Sequence, residues 1–349
     1  MNSYERFMIA LQRKEPDRVP LMELEVEESV REKIMPGASL FDFYEQIDLD
    51  AICVFEDIPW KDVESNIKRD HFGILRRFMK MDGPTWPFPV EPLVKEGQNL
   101  DDFLESFQIP DPHDPKRLQT LRSAIKRFKG KKAVVFGMHS SFIYPAFIRG
   151  IENLLTDYII NPAFAKKLTM MIVDYFTVLT EHAIEYGADA VIECEDYCSK
   201  TGPFMSIKHF REFVLPGLVE VGKVAKKNNV PFLKHADGNM WPLMDILVDE
   251  AGVDGFHPNE PAANMDIVEV KKVYGDRITV IGNVDCAHLL TFGSPQDVKE
   301  ATKECIFKTS PDGGHILASS NIIHVGIPPE NFLAMVEAAK EFGSYPIKS

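Results

Sequence analysis

Val230-Pro-Phe-Leu-Lys-His-Ala-Asp-Gly-Asn239 is a short, mostly apolar run that ends abruptly in a histidine, an aspartate and a glycine. Lys226-Lys227-Asn228-Asn229 precede it and Asp237-Gly238-Asn239 close it, so polar and turn-forming residues bound it on both sides. An apolar run of this length, without alternation, suits a parallel strand covered on both faces. Barrels and open sheets of parallel strands carry their binding and catalytic groups at the strands' carboxyl ends. His235 and Asp237 are therefore candidate functional residues on position alone.

Working outward, runs of the same kind recur at 18–23, 50–55, 133–137, 189–193, 253–257, 277–282 and 315–319, which with 230–235 makes eight. Segments with apolar residues three and four apart lie between them, among them 151–157, 161–186, 206–225 and, last, 328–342. Asn161-Pro162 supplies a cap and a first-turn proline, and Gly187 a stop. Ser206 predicts another cap, and Pro216 a kink in the helix that follows. Strands alternating with helices pair in parallel, and eight such units in this length predict a (β/α)8 barrel, a single domain over 1–349. The competitor is an open doubly wound sheet, but no G-x-G-x-x-G turn follows the first strand to support dinucleotide binding. The stretches Trp86-Pro-Phe-Pro-Val-Glu-Pro92 and Ile109-Pro-Asp-Pro-His-Asp-Pro115 predict an insertion at about 60–125, between the second and third strands, with a hairpin near Phe72 to Met79.

The formal net charge of −14 argues against nucleic acid as a partner, because phosphate would be repelled. No apolar run approaches the roughly 18–20 residues needed to cross a bilayer, and the amino terminus lacks a secretory pattern, so no membrane partner and a cytoplasmic location are expected. The cysteines, at 53, 194, 198, 286 and 305, are odd in number and scattered, which points to a reducing compartment.

If the barrel closes, polar strand-end residues meet around one mouth. Asp57 follows a strand and precedes Ile-Pro-Trp, so a regular helix cannot absorb it; it is a candidate proton carrier or cation anchor. Glu193-Cys-Glu-Asp196 places three carboxylates within four residues, which repel one another unless a metal, an arginine or shared protons intervene. A solvated rim is the alternative. His235 and Asp237 have the alternate spacing that puts both on one side of an extended chain, suited to metal ligation or an acid–base pair; a hydrogen-bonded core histidine is the alternative. Phe55, Trp60, Phe142 and Tyr144 would line an aromatic pocket or simply be core.

Phe55-Glu-Asp57-Ile58, Gly282-Asn-Val-Asp285, the segment 203–216 and Ile327-Pro-Pro-Glu-Asn331 resemble the uroporphyrinogen decarboxylase superfamily across nearly the whole chain. That resemblance implies a (β/α)8 barrel with its site at the strand ends, and one of two activities: porphyrinogen decarboxylation or cobalamin-dependent methyl transfer. Asp57 matches the decarboxylases' pyrrole-binding aspartate, but Met22-Glu-Leu-Glu-Val-Glu-Glu28 stands where they carry an arginine-bearing segment. His235 matches the histidine of the methyltransferases' H-x-C zinc motif; Asp237 and Asn321 stand at its two cysteine positions. The expectation is a methyltransferase that moves a methyl group from a methoxyarene or methylamine to cobalamin on a corrinoid-binding partner protein. Catalysis is assigned to Asp57, His235 and Asp237, substrate binding to Glu195, Asp196, Glu260 and Asn321, and a zinc or other divalent ion to His235, Asp237 and Glu193. Decarboxylation and a non-catalytic small-molecule-binding barrel are the alternatives, and a homodimer is among the expected assemblies.

Overall fold

The structure, a computed structural model, describes residues 1–78 and 87–347. Seven short, buried, parallel strands follow one another around a curled sheet: β1 (Ala51–Val54), β2 (Ala133–Met138), β3 (Ala190–Cys194), β4 (Phe232–His235), β5 (Gly255–His257), β6 (Thr279–Ile281) and β7 (His315–Ile316). The eighth position, expected as a strand at 18–23, is held by a segment too irregular to form a ladder. Pro20 has no N–H, and the Leu21 N–H donates to the Asp50 carboxylate at 2.8 Å instead of to a neighbouring strand. The segment still closes the barrel. Met22 N–H donates to the Leu317 carbonyl (3.0 Å), Leu317 N–H to the Pro20 carbonyl (2.9 Å), and Asp50 N–H to the Leu21 carbonyl (2.7 Å).

Helices alternate with the strands and cover the outside. Pro162–Tyr186 precedes β3, Leu215–Lys227 precedes β4, Ile267–Tyr274 precedes β6, Pro295–Thr309 precedes β7, and Pro329–Phe342 ends the barrel. Gly187 stops the longest of them in a left-handed conformation, with φ +114°. Asn161 makes no side-chain cap there; its amide donates to Asp157 Oδ1 at 2.7 Å. Ser206 does cap, accepting from the His209 N–H at 3.1 Å. Where a kink was expected at Pro216, a π-helical turn at Phe210–Val214 precedes the proline, which then lies in the first turn of Leu215–Lys227 where its missing donor costs little.

Two apolar layers follow from strand alternation. Ala51, Cys53, Ala133, Val135, Ala190, Ile192 and Leu233 fill the barrel interior, and Phe7, Ala10 and Leu11 of the helix Ser3–Leu11 pack into the same cluster. Ile52, Val54, Val134, Phe136, Val191 and Phe232 point the other way, into the larger layer beneath the helices.

Between β1 and β2 the chain makes a four-stranded antiparallel sheet from Lys61–Glu64, Ile67–Arg69, Leu75–Arg77 and Phe88–Pro89, then the helices Leu100–Ser106 and Gln119–Phe128. The hairpin expected near Phe72 to Met79 corresponds to the pairing of Ile67 with Arg77 and Arg69 with Leu75; Met79 itself lies outside the described residues. Among the described residues no helix is long and apolar enough to cross a membrane.

Candidate active site

Register decides what each polar residue on β3 and β4 faces. His235 pairs with Cys194 and Lys234 with Glu193, so the first pair turns toward the barrel and the second toward the helices. The acidic run at the end of β3 is thereby divided: Glu193 and Glu195 are wholly buried, while Asp196 reaches the mouth.

On the mouth side, His235, Asp237 and Asp196 bring one ligand atom each to within 4.8 Å of one another. His235 Nδ1 lies 2.7 Å from His257 Nδ1, so one of the two rings donates to the other and the bond fixes the His235 ring. The remaining His235 nitrogen, Nε2, is 3.9 Å from Asp237 Oδ1. Asp237 Oδ2 accepts from the Asn321 amide, whereas Oδ1 is buried with no hydrogen-bond partner. Two consecutive backbone donors hold the loop. Asp237 N–H donates to Asp196 Oδ1 at 2.8 Å and Gly238 N–H to Glu260 Oε2 at 2.9 Å. Gly238 has φ +88°, and a Cβ there would lie 2.6 Å from the Cys198 carbonyl oxygen, so only glycine fits without strain.

Burial, Lys234 and His139 push the His235 imidazole down to about 3, so the ring is neutral at physiological pH and able to offer a lone pair. Burial and the neighbouring Asp196 and Glu260 carboxylates push Asp237 well above the usual carboxylate range, against the pull of Asn321. A neutral imidazole, two carboxylates in mutual repulsion and an orphaned buried oxygen form a donor set that fits a divalent cation.

These groups open onto a cavity of about 640 Å³ whose other walls are largely apolar, with Leu24, Phe55, Phe142, Ile143, Phe147 and Phe204 among them. The charged residues lining it, among the described ones, are Glu91, Asp196 and Asp237, all acidic. A second cavity of about 460 Å³ shares Leu24, Phe55, Pro87 and His139 with it and carries Glu25, Glu56, Asp57, Arg31 and Arg76. Phe55 and Phe142 thus line the larger space, and Trp60 and Tyr144 the smaller.

Other sequence candidates are placed differently. Asp57 faces the smaller cavity with both oxygens accepting from Thr120, one from its N–H at 2.8 Å and one from its hydroxyl. Glu193, expected as a metal ligand, is instead paired with Lys234 (Oε2 to Nζ, 2.6 Å) and accepts from Ser140 and Tyr197 hydroxyls; Asp196 is the carboxylate that joins His235 and Asp237. Glu195, expected at the substrate, accepts the backbone N–H groups of Ser140, Ser141, Phe142 and Ile143 at 2.9–3.1 Å. Burial and Glu193 push its carboxyl up to about 8. Asn321 and Glu260 stand at the site through Asp237 and Gly238 respectively. Sequence reasoning passed over Lys234, and the signal available was a charged residue inside a run otherwise apolar up to His235.

The family model for uroporphyrinogen decarboxylase matches residues 2–342. The chain belongs to the uroporphyrinogen decarboxylase family. Within that family it is similar to a methylated-thiol–coenzyme M methyltransferase of Methanosarcina mazei, 26% identical over 219 residues that cover 62% of this chain and 55% of the relative, about half its length. It is also similar to a uroporphyrinogen decarboxylase of Thioalkalivibrio sulfidiphilus, 22% identical over 317 residues, covering 86% of this chain and 81% of that one. A solved methyltransferase structure from Methanosarcina mazei superposes with a TM-score of 0.76 at 18% identity over 98% of this chain and 99% of that one, which confirms the barrel fold.

Proposed function

We propose that this member of the uroporphyrinogen decarboxylase family is a corrinoid-dependent methyltransferase, which takes a methyl group from a small methoxyarene or methylamine and delivers it to cobalamin on a partner protein. The observation that carries this reading is the Asp196–His235–Asp237 trio at the wall of a largely apolar cavity. The similarity to a named methyltransferase supports it. An octacarboxylate substrate fits the cavity badly, because the charged groups lining it among the described residues are carboxylates.

Zinc or another divalent ion would be held by Asp196, His235 and Asp237, and when bound it supplies Lewis acidity toward the oxygen or nitrogen that the methyl group leaves. The chain's own residues do the rest. His257 holds His235 so that Nε2 turns toward Asp237, and Asn321 fixes one Asp237 oxygen while leaving the other free. The aromatic and aliphatic walls grip the apolar part of the methyl donor and exclude water from the reacting centre.

Incubation with reduced cobalamin and a panel of methoxyarenes and methylamines tests the proposal, with methylcobalamin read by absorbance. Methylcobalamin that is lost on His235→Ala is expected. Carbon dioxide release from a porphyrinogen would replace this reading with decarboxylation, and tight ligand binding without turnover would replace it with a binding barrel.

A further inference from the structure

Lys234 is a wholly buried lysine, and its surroundings show what it does. Its ammonium lies 2.6 Å from Glu193 Oε2, donates to the His235 carbonyl at 2.6 Å and to the Glu195 carbonyl at 2.9 Å, and sits 4.5 Å from the Tyr197 ring centroid. It never reaches the cavity, since its side chain turns to the helix side of the wall. The two carbonyls belong to the residues that end the β3–β4 ladder. Beyond Glu195 N–H donating to the His235 carbonyl at 3.2 Å, the next backbone bond between the two segments is Asn239 N–H to the Ser199 carbonyl at 2.9 Å, so residues 196–198 and 236–238 lie outside the ladder. Asp196 follows one carbonyl directly, and Ala236 and Asp237 follow the other.

We propose that Lys234 is a positioning residue for the Asp196–His235–Asp237 trio: its ammonium joins the two strand ends from behind, where the ladder is interrupted, and sets the separation of the groups they carry. The inference rests on the metal-binding reading of that trio. A backbone N–H could join only one carbonyl at this point, whereas an ammonium offers three donors, here shared by the Glu195 and His235 carbonyls, the Glu193 carboxylate and, at 3.5 Å, the Glu193 carbonyl. Glu193, which strand parity places on the same rear face, compensates the charge. Glu195 extends the same support by gathering the N–H groups of residues 140–143, so the buried cluster is satisfied on every side that the trio leaves open.

The test removes the cation without stranding its counter-charge, by Lys234→Met in a Glu193→Gln background. Metal affinity, read by competition with a chromophoric chelator, is expected to fall about 10- to 100-fold, the range for outer partners of a metal site. The visible spectrum of the cobalt(II)-substituted protein is expected to change with it. In metal-free protein, amide exchange at Asp237 and Gly238 is expected to quicken about tenfold, while exchange in the distant helix Pro329–Phe342 stays as in the wild type. Lys234→Gln in the same background, which keeps an amide donor, is expected to recover part of both. Unchanged affinity, spectrum and local exchange overturn the proposal. So does an equal loss in Glu193→Gln alone, where the lysine's carbonyl bonds remain, and so does failure of both double variants to fold, which would make Lys234 a determinant of the whole barrel. A wild-type protein that binds no divalent ion sinks the metal reading instead, and the exchange measurement then judges Lys234 by itself.

Discussion

The two faces of one barrel wall, at the ends of β3 and β4, carry polar residues of the same kinds and treat them in opposite ways. Behind the wall, Lys234, Glu193, Glu195, Ser140 and Tyr197 bond with one another and with backbone groups. In front, Asp196, His235 and Asp237 leave an oxygen without a partner and set two carboxyl groups side by side, with Asp237 pushed toward its protonated form. A satisfied buried network rigidifies; an unsatisfied one, held in place by the first, is poised for a cation or a substrate. Residue type does not separate the two roles, but strand parity does.

The largest expected effect comes from breaking the rear face alone. Lys234→Met with Glu193 intact leaves a buried carboxylate unpaired, and chemical denaturation should show a loss of about 3–5 kcal/mol. A loss below about 1 kcal/mol would mean that solvent or another donor reaches Glu193, and the contrast between the faces would collapse. On the front face the expectation is reversed. His235→Ala should weaken divalent metal binding by more than about a hundredfold, beyond the range for outer partners, while leaving the far-ultraviolet circular dichroism of the metal-free protein unchanged.

The loop between the faces gives a smaller effect. Gly238→Ala places a Cβ at positive φ and against the Cys198 carbonyl, and should cost about 1–3 kcal/mol in thermal or urea unfolding. Equal stability would show that the loop moves without consequence. Near neutral pH the smallest effect is on pH dependence, and it grows only as the solution is acidified. His315, buried and bonded to Ser310 and to the Gly282 carbonyl, is pushed down to about 3 by burial. The unfolded chain takes up this proton near 6.5 and the folded chain does not, so stability is fully present above pH 6.5 and is lost as the pH falls toward 3. The slope is about 1.4 kcal/mol per pH unit for each such histidine. His315→Gln should make the urea midpoint fall less steeply over that window, and an unchanged slope would show that this histidine is not the group responsible.

The barrel was legible because the strands are short, mostly apolar runs, and the position of His235 and Asp237 at the end of one such run carried them to the mouth. The first strand was legible as a location but not as a ladder, because Pro20 and the reach of Asp50 to the Leu21 N–H are tertiary facts. The acidic run was read as one group because spacing along the chain does not state register against β4. Once Lys234 is known to sit beside Glu193, alternation alone assigns Glu193 to the rear. Asp57 shows another limit, since nothing local announces that Thr120, far along the insertion, will take both of its oxygens.

Phe7, Ala10 and Leu11 plug the amino end of the barrel with the helix Ser3–Leu11, and the Asp196–His235–Asp237 trio faces the opposite end. Under the proposed reading, methyl donor and carrier protein both approach from the strands' carboxyl ends, so the carrier acts as a cork once seated. Loading then precedes docking, and the demethylated product departs only after the carrier lifts away. Steady-state kinetics should therefore be ordered, with excess unmethylated carrier inhibiting at low donor concentration; strictly random binding of the two would show a second way in.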